Sequence, residues 1–248
     1  MPAYNMERYI EAAICSVQKQ TYSNWELLVI DDGSQDSTCA IVEKLAAKDT
    51  RIRLIRNEKN IGVAQTRNRG FELASGQYLA LLDSDDLWRE EKLERQLGMA
   101  EETGADVIYC SYSIIDERGL KICDDFIVPD ITDFERSLSQ SVISCSTALL
   151  SFDVYNMYRF NPDFYHEDLI FWLQILYDRL EVRGVTDVLA AYRVHNGTRA
   201  SNKICTAANR WKVYRRYFGL PFSKSAWTFV KYAYLGVKKY RRNACGDR

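Results

Sequence analysis

No run of about 18 apolar residues occurs in the sequence, so no membrane-spanning helix is expected. The start lacks the pattern of a secretory leader. No CxxC pair occurs, and the seven cysteines, at 15, 39, 110, 123, 145, 205 and 245, are odd in number and irregular in spacing. That argues against a disulfide scaffold or a structural zinc site. Reduced thiols in a cytoplasmic protein are expected, most of them small core residues. Neither an internal repeat nor a low-complexity tract is present, which excludes repeat architectures.

Of the 248 residues, 47% are hydrophobic and 27% charged, an ordinary globular balance that suits one large domain or a domain with an appendage. The net charge of −1 hides an asymmetry. Residues 203–248 hold 12 Lys and Arg against the single acid Asp247, or +11, while residues 1–202 hold 21 basic and 33 acidic residues, or −12. A basic tail on an acidic body points to contact with an anionic surface or ligand.

Apolar runs alternate with helical patterns over the first half. Helical spacing over Glu7–Gln20 is followed by a strand at Glu26–Ile30, a helix from Asp36 or Ser37 to Ala47, and a strand at Ile52–Ile55. A helix over Val63–Ala74, a strand over Tyr78–Leu82, a helix over Glu90–Thr103 and a strand over Asp106–Ser113 complete the alternation. This predicts a mostly parallel, Rossmann-like α/β sheet with helices on both faces. Its ligands would bind beyond the carboxyl ends of the strands. After Ser113 the pattern loosens. A hairpin is expected at Asp116–Gly119, a short helix over Asp133–Gln140, a strand over Ser146–Phe152, a helix over His166–Arg179 with one apolar face, and a strand over Val185–Tyr192.

The chemistry concentrates at strand ends. Tyr78–Leu82 runs into Asp83-Ser84-Asp85-Asp86, three carboxylates in four positions. Such a cluster raises the pKa of one member unless a cation relieves it. Hard oxygen ligands suit Mg²⁺ or Mn²⁺, which leaves positions for phosphate oxygens. The alternative is a solvated loop in which Asp86 begins a helix. Asp31 and Asp32 end the strand before a Gly33 turn, where an Asx turn would also explain them. Glu167 and Asp168 open a helix, where the helix dipole favours acids regardless of chemistry.

Several segments, in this order and spacing, resemble the inverting glycosyltransferases of family 2, with the GT-A fold: MPAYN, QTYSNWELLVIDDGSQDST, NIGVAQTRNRG, SGQYLALLDSDDLW and the later HED. The resemblance covers about residues 1–200. It implies a metal-dependent transferase moving a sugar from a nucleotide donor, expected to be UDP-linked, to a glycan hydroxyl. Pro2, Ala3 and Tyr4 match the loop at the base and ribose, Asp32 the carboxylate facing a uracil N–H with Asp31 beside it, and Arg67 the segment closing over the base. Asp83 matches the DxD residue near the ribose, with Ser84 between the two acids, and Asp85 the metal ligand, with Asp83 as a second candidate for the metal. Asp168 matches the catalytic base, with Glu167 as its rival. His195 falls where a diphosphate or metal contact is common, and is otherwise a loop residue. Similar proteins build bacterial surface polysaccharides on polyprenyl-diphosphate-linked acceptors at the inner face of the cytoplasmic membrane. The family's first, central strand precedes an MPAYN-like segment, so it is expected to be short here. A non-catalytic sugar-nucleotide-binding remnant and a nucleotidyltransferase are the competing readings.

The domain is expected to span residues 1–202, nucleotide-binding to about 115 and acceptor-facing beyond, followed by a helical extension. Over Ser225–Arg242, Lys224, Lys231, Lys238 and Arg242 fall on one side and Trp227, Val230, Tyr234, Val237 and Tyr240 on the other. A basic amphipathic helix of this kind suits an anionic membrane surface; the alternative is a terminal helix docked on the body. Nucleic acid is a weaker partner for the charge, since no known nucleic-acid-binding motif accompanies it.

Overall fold

The computed structural model describes residues 1–195 and 203–244. Strands β1 (Pro2–Ala3), β2 (Leu27–Asp31) and β3 (Ile52–Arg56) pair in parallel in that order. Helices α1 (Ile10–Gln18) and α2 (Thr38–Ala46) connect them, and α3 (Val63–Leu73) leads onward. All five residues of β2 are buried, as expected of an interior parallel strand read from a continuous apolar run. Asp36 Oδ1 accepts the Thr38 N–H at 3.0 Å and so caps α2.

A second, mixed sheet has the order β4 (Tyr78–Ala80), β7 (Leu149–Ser151), β6 (Val107–Ile115), β8 (Val182–Arg193), β5 (Leu87–Trp88). Only β6 and β8 run parallel. The Tyr78–Leu82 run was expected to be a parallel strand, but its ordered part lies antiparallel to β7, with Leu79 opposite Leu150. Its three residues are half-buried at the edge of the sheet, and an apolar run carries no information on the direction of the neighbouring strand. The strand expected over Ser146–Phe152 is shorter, Leu149–Ser151: a 3-10 turn occupies Cys145–Thr147 before it, and Phe152 begins α6 (Phe152–Met157).

Helix α4 (Lys92–Thr103) ends at Gly104, whose φ of 68° is left-handed. Its Lys92 is fully buried, with Nζ donating to Gln96 Oε1 at 2.6 Å and lying 4.1 Å from the centroid of the Trp88 ring. Burial pushes the Lys92 pKa down to about 8. The hairpin after β6 forms, closed by Gly119 N–H to Asp116 O at 3.0 Å. Gly184 on β8 is required by its surroundings, since a Cβ there would sit 2.1 Å from Pro129 O.

Helix α5 (Phe134–Ser139) is capped by Asp133, which accepts the Arg136 N–H. Helix α7 (Glu167–Tyr177) was expected to bury one face and instead buries nearly its whole circumference, including Ile170, Phe171 and Ile175. It lies between two core clusters, with Phe171 stacked on Phe160 at 4.2 Å. Cys110 and Cys145 are core thiols.

Helix α8 (Lys203–Lys212) continues through a π-helical turn at Val213–Tyr217, and α9 (Phe222–Ala244) follows. Helix α9 docks on the body by Ser225, Thr228 and Phe229, with Phe229 against Trp211 at 5.7 Å and Lys224 on Glu135 at 2.6 Å. The expected apolar face points away: Trp227, Val230 and Tyr234 are 72%, 60% and 66% exposed. The side chains of Val237, Lys238, Lys239, Tyr240 and Arg242 lie outside the described residues. Among the described residues, no helix is long and apolar enough to cross a membrane.

Candidate active site

The carboxyl ends of β1, β2 and β4 converge on one cleft of about 1120 Å³. Pro2, Ala3, Tyr4, Asp32, Arg67, Asp83, Ser84, Asp85, Glu167, Asp168 and His195, all anticipated from sequence, line it. Asp31 does not. It is 2% exposed, and its Oδ2 accepts the Gly33 and Ser34 N–H groups, so it shapes the turn beside the cleft.

Asp32 has a comparable role on the other side. Oδ1 accepts Asn57 Nδ2 at 2.8 Å and the Ile61 N–H at 2.9 Å, and Oδ2 accepts the Gly62 N–H at 2.9 Å. A carboxylate has about four acceptor positions, so Oδ2 retains capacity for a donor in the cleft.

Arg67 comes from α3 and is 8% exposed. One Nη donates to Asp83 Oδ1 at 2.7 Å and the other to Glu167 Oε1 at 3.2 Å. Burial alone would lower the guanidinium pKa. Asp83 foremost, and Glu167 more weakly, outweigh that and raise it. The contact ties the acidic loop to the start of α7, a link that sequence spacing did not reveal. It also turns one oxygen of Asp83, anticipated as a metal ligand, toward an arginine.

Asp85 meets His195 instead, Oδ2 to Nε2 at 3.0 Å across 110 residues of chain. Burial, then the neighbouring Asp83, raises the Asp85 pKa, against the opposing pull of His195. Asp86 is 1% exposed; burial, then Asp85 and Asp83, pushes its pKa well up. The raised carboxyl expected from three clustered acids is present. Among the described residues, no three His, Cys, Asp or Glu side chains converge as a metal cage. One carboxylate with a raised pKa beside one imidazole still fits a divalent cation that draws its other ligands from phosphate and water.

Glu167 and Asp168 differ in surroundings. Glu167 is 5% exposed and bound to Arg67, whereas Asp168 Oδ1 accepts the Leu169 N–H at 2.7 Å. Beyond them the cleft continues past Tyr165, His166 and Arg210 to Tyr232 and Leu235 of α9. Apart from His166 of the HED segment, no sequence motif marked that wall.

Residues 1–156 match the family Glycosyl transferase family 2. The chain belongs to this family. It is a glycosyltransferase. Its relatives include a putative teichuronic acid biosynthesis glycosyltransferase, TuaG, of Bacillus subtilis, 35% identical over 96% of this chain and 94% of that protein. Another is the Escherichia coli UDP-Glc:alpha-D-GlcNAc-diphosphoundecaprenol beta-1,3-glucosyltransferase WfgD, 36% identical over 97% and 93%. Relatives of this transferase thus serve bacterial polysaccharide biosynthesis. Among solved structures, S. aureus TarS 1-349 in complex with UDP-GlcNAc superposes with a TM-score of 0.72 at 21% identity, over 94% of this chain and 70% of that one. The Pyrobaculum calidifontis mannosyltransferase PcManGT, in complex with GDP-Man and Mn²⁺, gives 0.70 at 16% identity, over 94% and 68%. The transferase has the GT-A fold.

Proposed function

We propose that this transferase moves a sugar from a UDP-linked donor to a hydroxyl of a lipid-linked glycan by single displacement with inversion, using Mn²⁺ or Mg²⁺. One observation carries the reading. Asp168 lines the same cleft as the Asp85–His195 pair, while the rival Glu167 is held by Arg67.

Asp168 takes the proton of the acceptor hydroxyl as that oxygen bonds to C1 of the sugar. The bond from C1 to the diphosphate oxygen breaks, and its electron pair leaves with the nucleoside diphosphate. A base on one face and a leaving group on the other invert the configuration at C1. Asp85 and His195 would hold the cation, which when bound neutralises charge on the departing diphosphate. Asp32 fixes the 57–62 loop at the edge assigned to the nucleotide. Residues 1–115 form the donor half in this reading, 116–202 the acceptor half, and 203–248 the extension.

The acceptor's lipid is assigned to α9, the enzyme then lying at the inner face of the cytoplasmic membrane. Tyr232 and Leu235 line the cleft, and Trp227, Val230 and Tyr234 of the same helix are exposed beside Lys231. An exposed aromatic stripe with basic neighbours suits the interface of an anionic bilayer.

The test is turnover of a panel of UDP-sugars with a GlcNAc-diphospholipid acceptor, with and without chelator, reading UDP release and the product's anomeric configuration. Cation-dependent transfer with inverted configuration is expected. Retained configuration, or full activity in chelator, overturns the mechanism. Release of pyrophosphate in place of UDP would indicate nucleotidyl transfer.

A further inference from the structure

Behind the Asp85–His195 pair lies a buried network centred on Asp86, Ser146 and Arg193, which the proposed reaction does not use. Strand β5 pairs antiparallel with β8, Leu87 opposite Ala191, and the ladder stops there. Where it stops, the side chain of Asp86 takes over as acceptor. Its Oδ1 receives the Arg193 N–H at 2.8 Å, and its Oδ2 receives the Ser146 hydroxyl. Ser146 Oγ in turn accepts the Asp83 N–H at 3.0 Å, and Ser146 O accepts Trp88 Nε1 at 2.7 Å. Arg193 returns to the acidic loop, Nε donating to Asp85 O at 2.7 Å. Asp86, Ser146 and Arg193 are 1%, 2% and 4% exposed.

Three chain segments are thus held in register: the acidic loop, the 145–147 turn and the end of β8. Asp85 precedes Asp86, and His195 follows Arg193 by two residues. A shift at the Asp86–Arg193 bond therefore moves the two donor side chains relative to one another. A surface loop has no need of a fully buried carboxylate for solubility. Burying a carboxylate is costly unless its bonds are used, and here both oxygens are spent on tying the 145–147 turn and the end of β8 to the acidic loop.

We propose that Asp86, acting through Ser146 and the backbone of Arg193, is a positioning residue that sets the spacing of Asp85 and His195, and thereby the affinity of the cleft for a divalent cation carrying a nucleoside diphosphate. The inference rests on the reading of Asp85 and His195 as the cation's protein donors.

The experiment is calorimetry of UDP binding to the full chain, with Mn²⁺ and with chelator, alongside unfolding midpoints. Asp86→Ala loses both bonds, Asp86→Asn keeps an acceptor for Arg193, and Ser146→Ala removes the bridge to Asp83. Outer groups that orient metal ligands are worth about 10–100-fold in affinity, so Asp86→Ala should weaken Mn²⁺-dependent UDP binding by at least about ten-fold. Asp86→Asn and Ser146→Ala should weaken it less, and binding in chelator should stay the same in all three. Tyr158→Phe, which loses a hydrogen bond to Asp178 remote from this network, is the control for a general loss of stability. If Asp86→Ala fails to fold, Asp86→Asn and Ser146→Ala carry the test. Variants with lowered unfolding midpoints but wild-type Mn²⁺-dependent affinity would reduce Asp86 to a structural residue and overturn the proposal. Should Mn²⁺ not raise the UDP affinity of the wild-type chain, the donor assignment of Asp85 and His195 falls first and takes this proposal with it.

Discussion

Arg67 binds Glu167 at 3.2 Å, and this contact gives Glu167 surroundings unlike those of Asp168, its neighbour in the chain. One carboxylate is committed to a buried guanidinium. The other lines the cleft from the first turn of α7.

Asp168→Asn is expected to keep UDP affinity and lower transfer by about 10²–10⁴-fold, the usual worth of a general base. Glu167→Gln retains an acceptor for Arg67 and should cost less than about ten-fold by the same scale. Steady-state kinetics with calorimetry decides; the reverse order would move the base by one residue.

Arg67→Met should be among the most destabilising single changes. It leaves Glu167 buried without its cation and frees Asp83 to repel Asp85. Breaking a buried pair typically costs about 3–5 kcal/mol. Urea unfolding would measure the loss, and a change under about 1 kcal/mol would place the pair in the surface class.

Lys92 gives a pH signature. Its pKa falls from 10.5 in the unfolded chain to about 8 in the fold. Below pH 8 the ammonium is present in both states and its burial cost is full. Between pH 8 and 10.5 the unfolded chain binds more protons, so this group's contribution to stability rises with pH. Lys92→Met should therefore stabilise the protein at pH 7 by about 1–3 kcal/mol, net of the lost bond to Gln96. That advantage should shrink toward pH 10. An advantage independent of pH would contradict the depressed pKa.

The outward face of α9 can be tested without disturbing the fold. Trp227→Ser, Val230→Ser and Tyr234→Ser combined should leave the unfolding midpoint within a degree or two, roughly the surface-substitution range. They should weaken binding to neutral and anionic vesicles alike. Lys231→Ala should weaken binding to anionic vesicles only, by about 1 kcal/mol, and added salt should erase the difference. Unchanged sedimentation of the triple variant with vesicles would exclude this face as the contact.

Much of the layout was legible because it rests on local signals. The Leu27–Asp31 and Ile52–Arg56 strands and the helix ending at Thr103 follow from apolar runs and helical periodicity. The cleft residues were found through motif order, which named Asp85 and His195 each as a metal candidate but did not anticipate their direct hydrogen bond across 110 residues. What stayed hidden were relations between segments with no common pattern. The antiparallel pairing of Tyr78–Ala80, the Arg67 bridge and the Ser146 hub depend on which strands neighbour one another in space. Helix α9 was legible in period but not in orientation, because it docks through Ser225 and Thr228, which hydropathy does not mark as a buried face.

The three donors gathered by Asp32 bear on the timing of donor capture. Ordering a loop costs about 1–2 kcal/mol per residue in backbone entropy. Here the 57–62 segment meets that cost during folding, before any nucleotide arrives. If the nucleotide binds at this edge, as proposed, it meets a wall already standing, and its association should be single-phase and first order in donor up to the encounter limit.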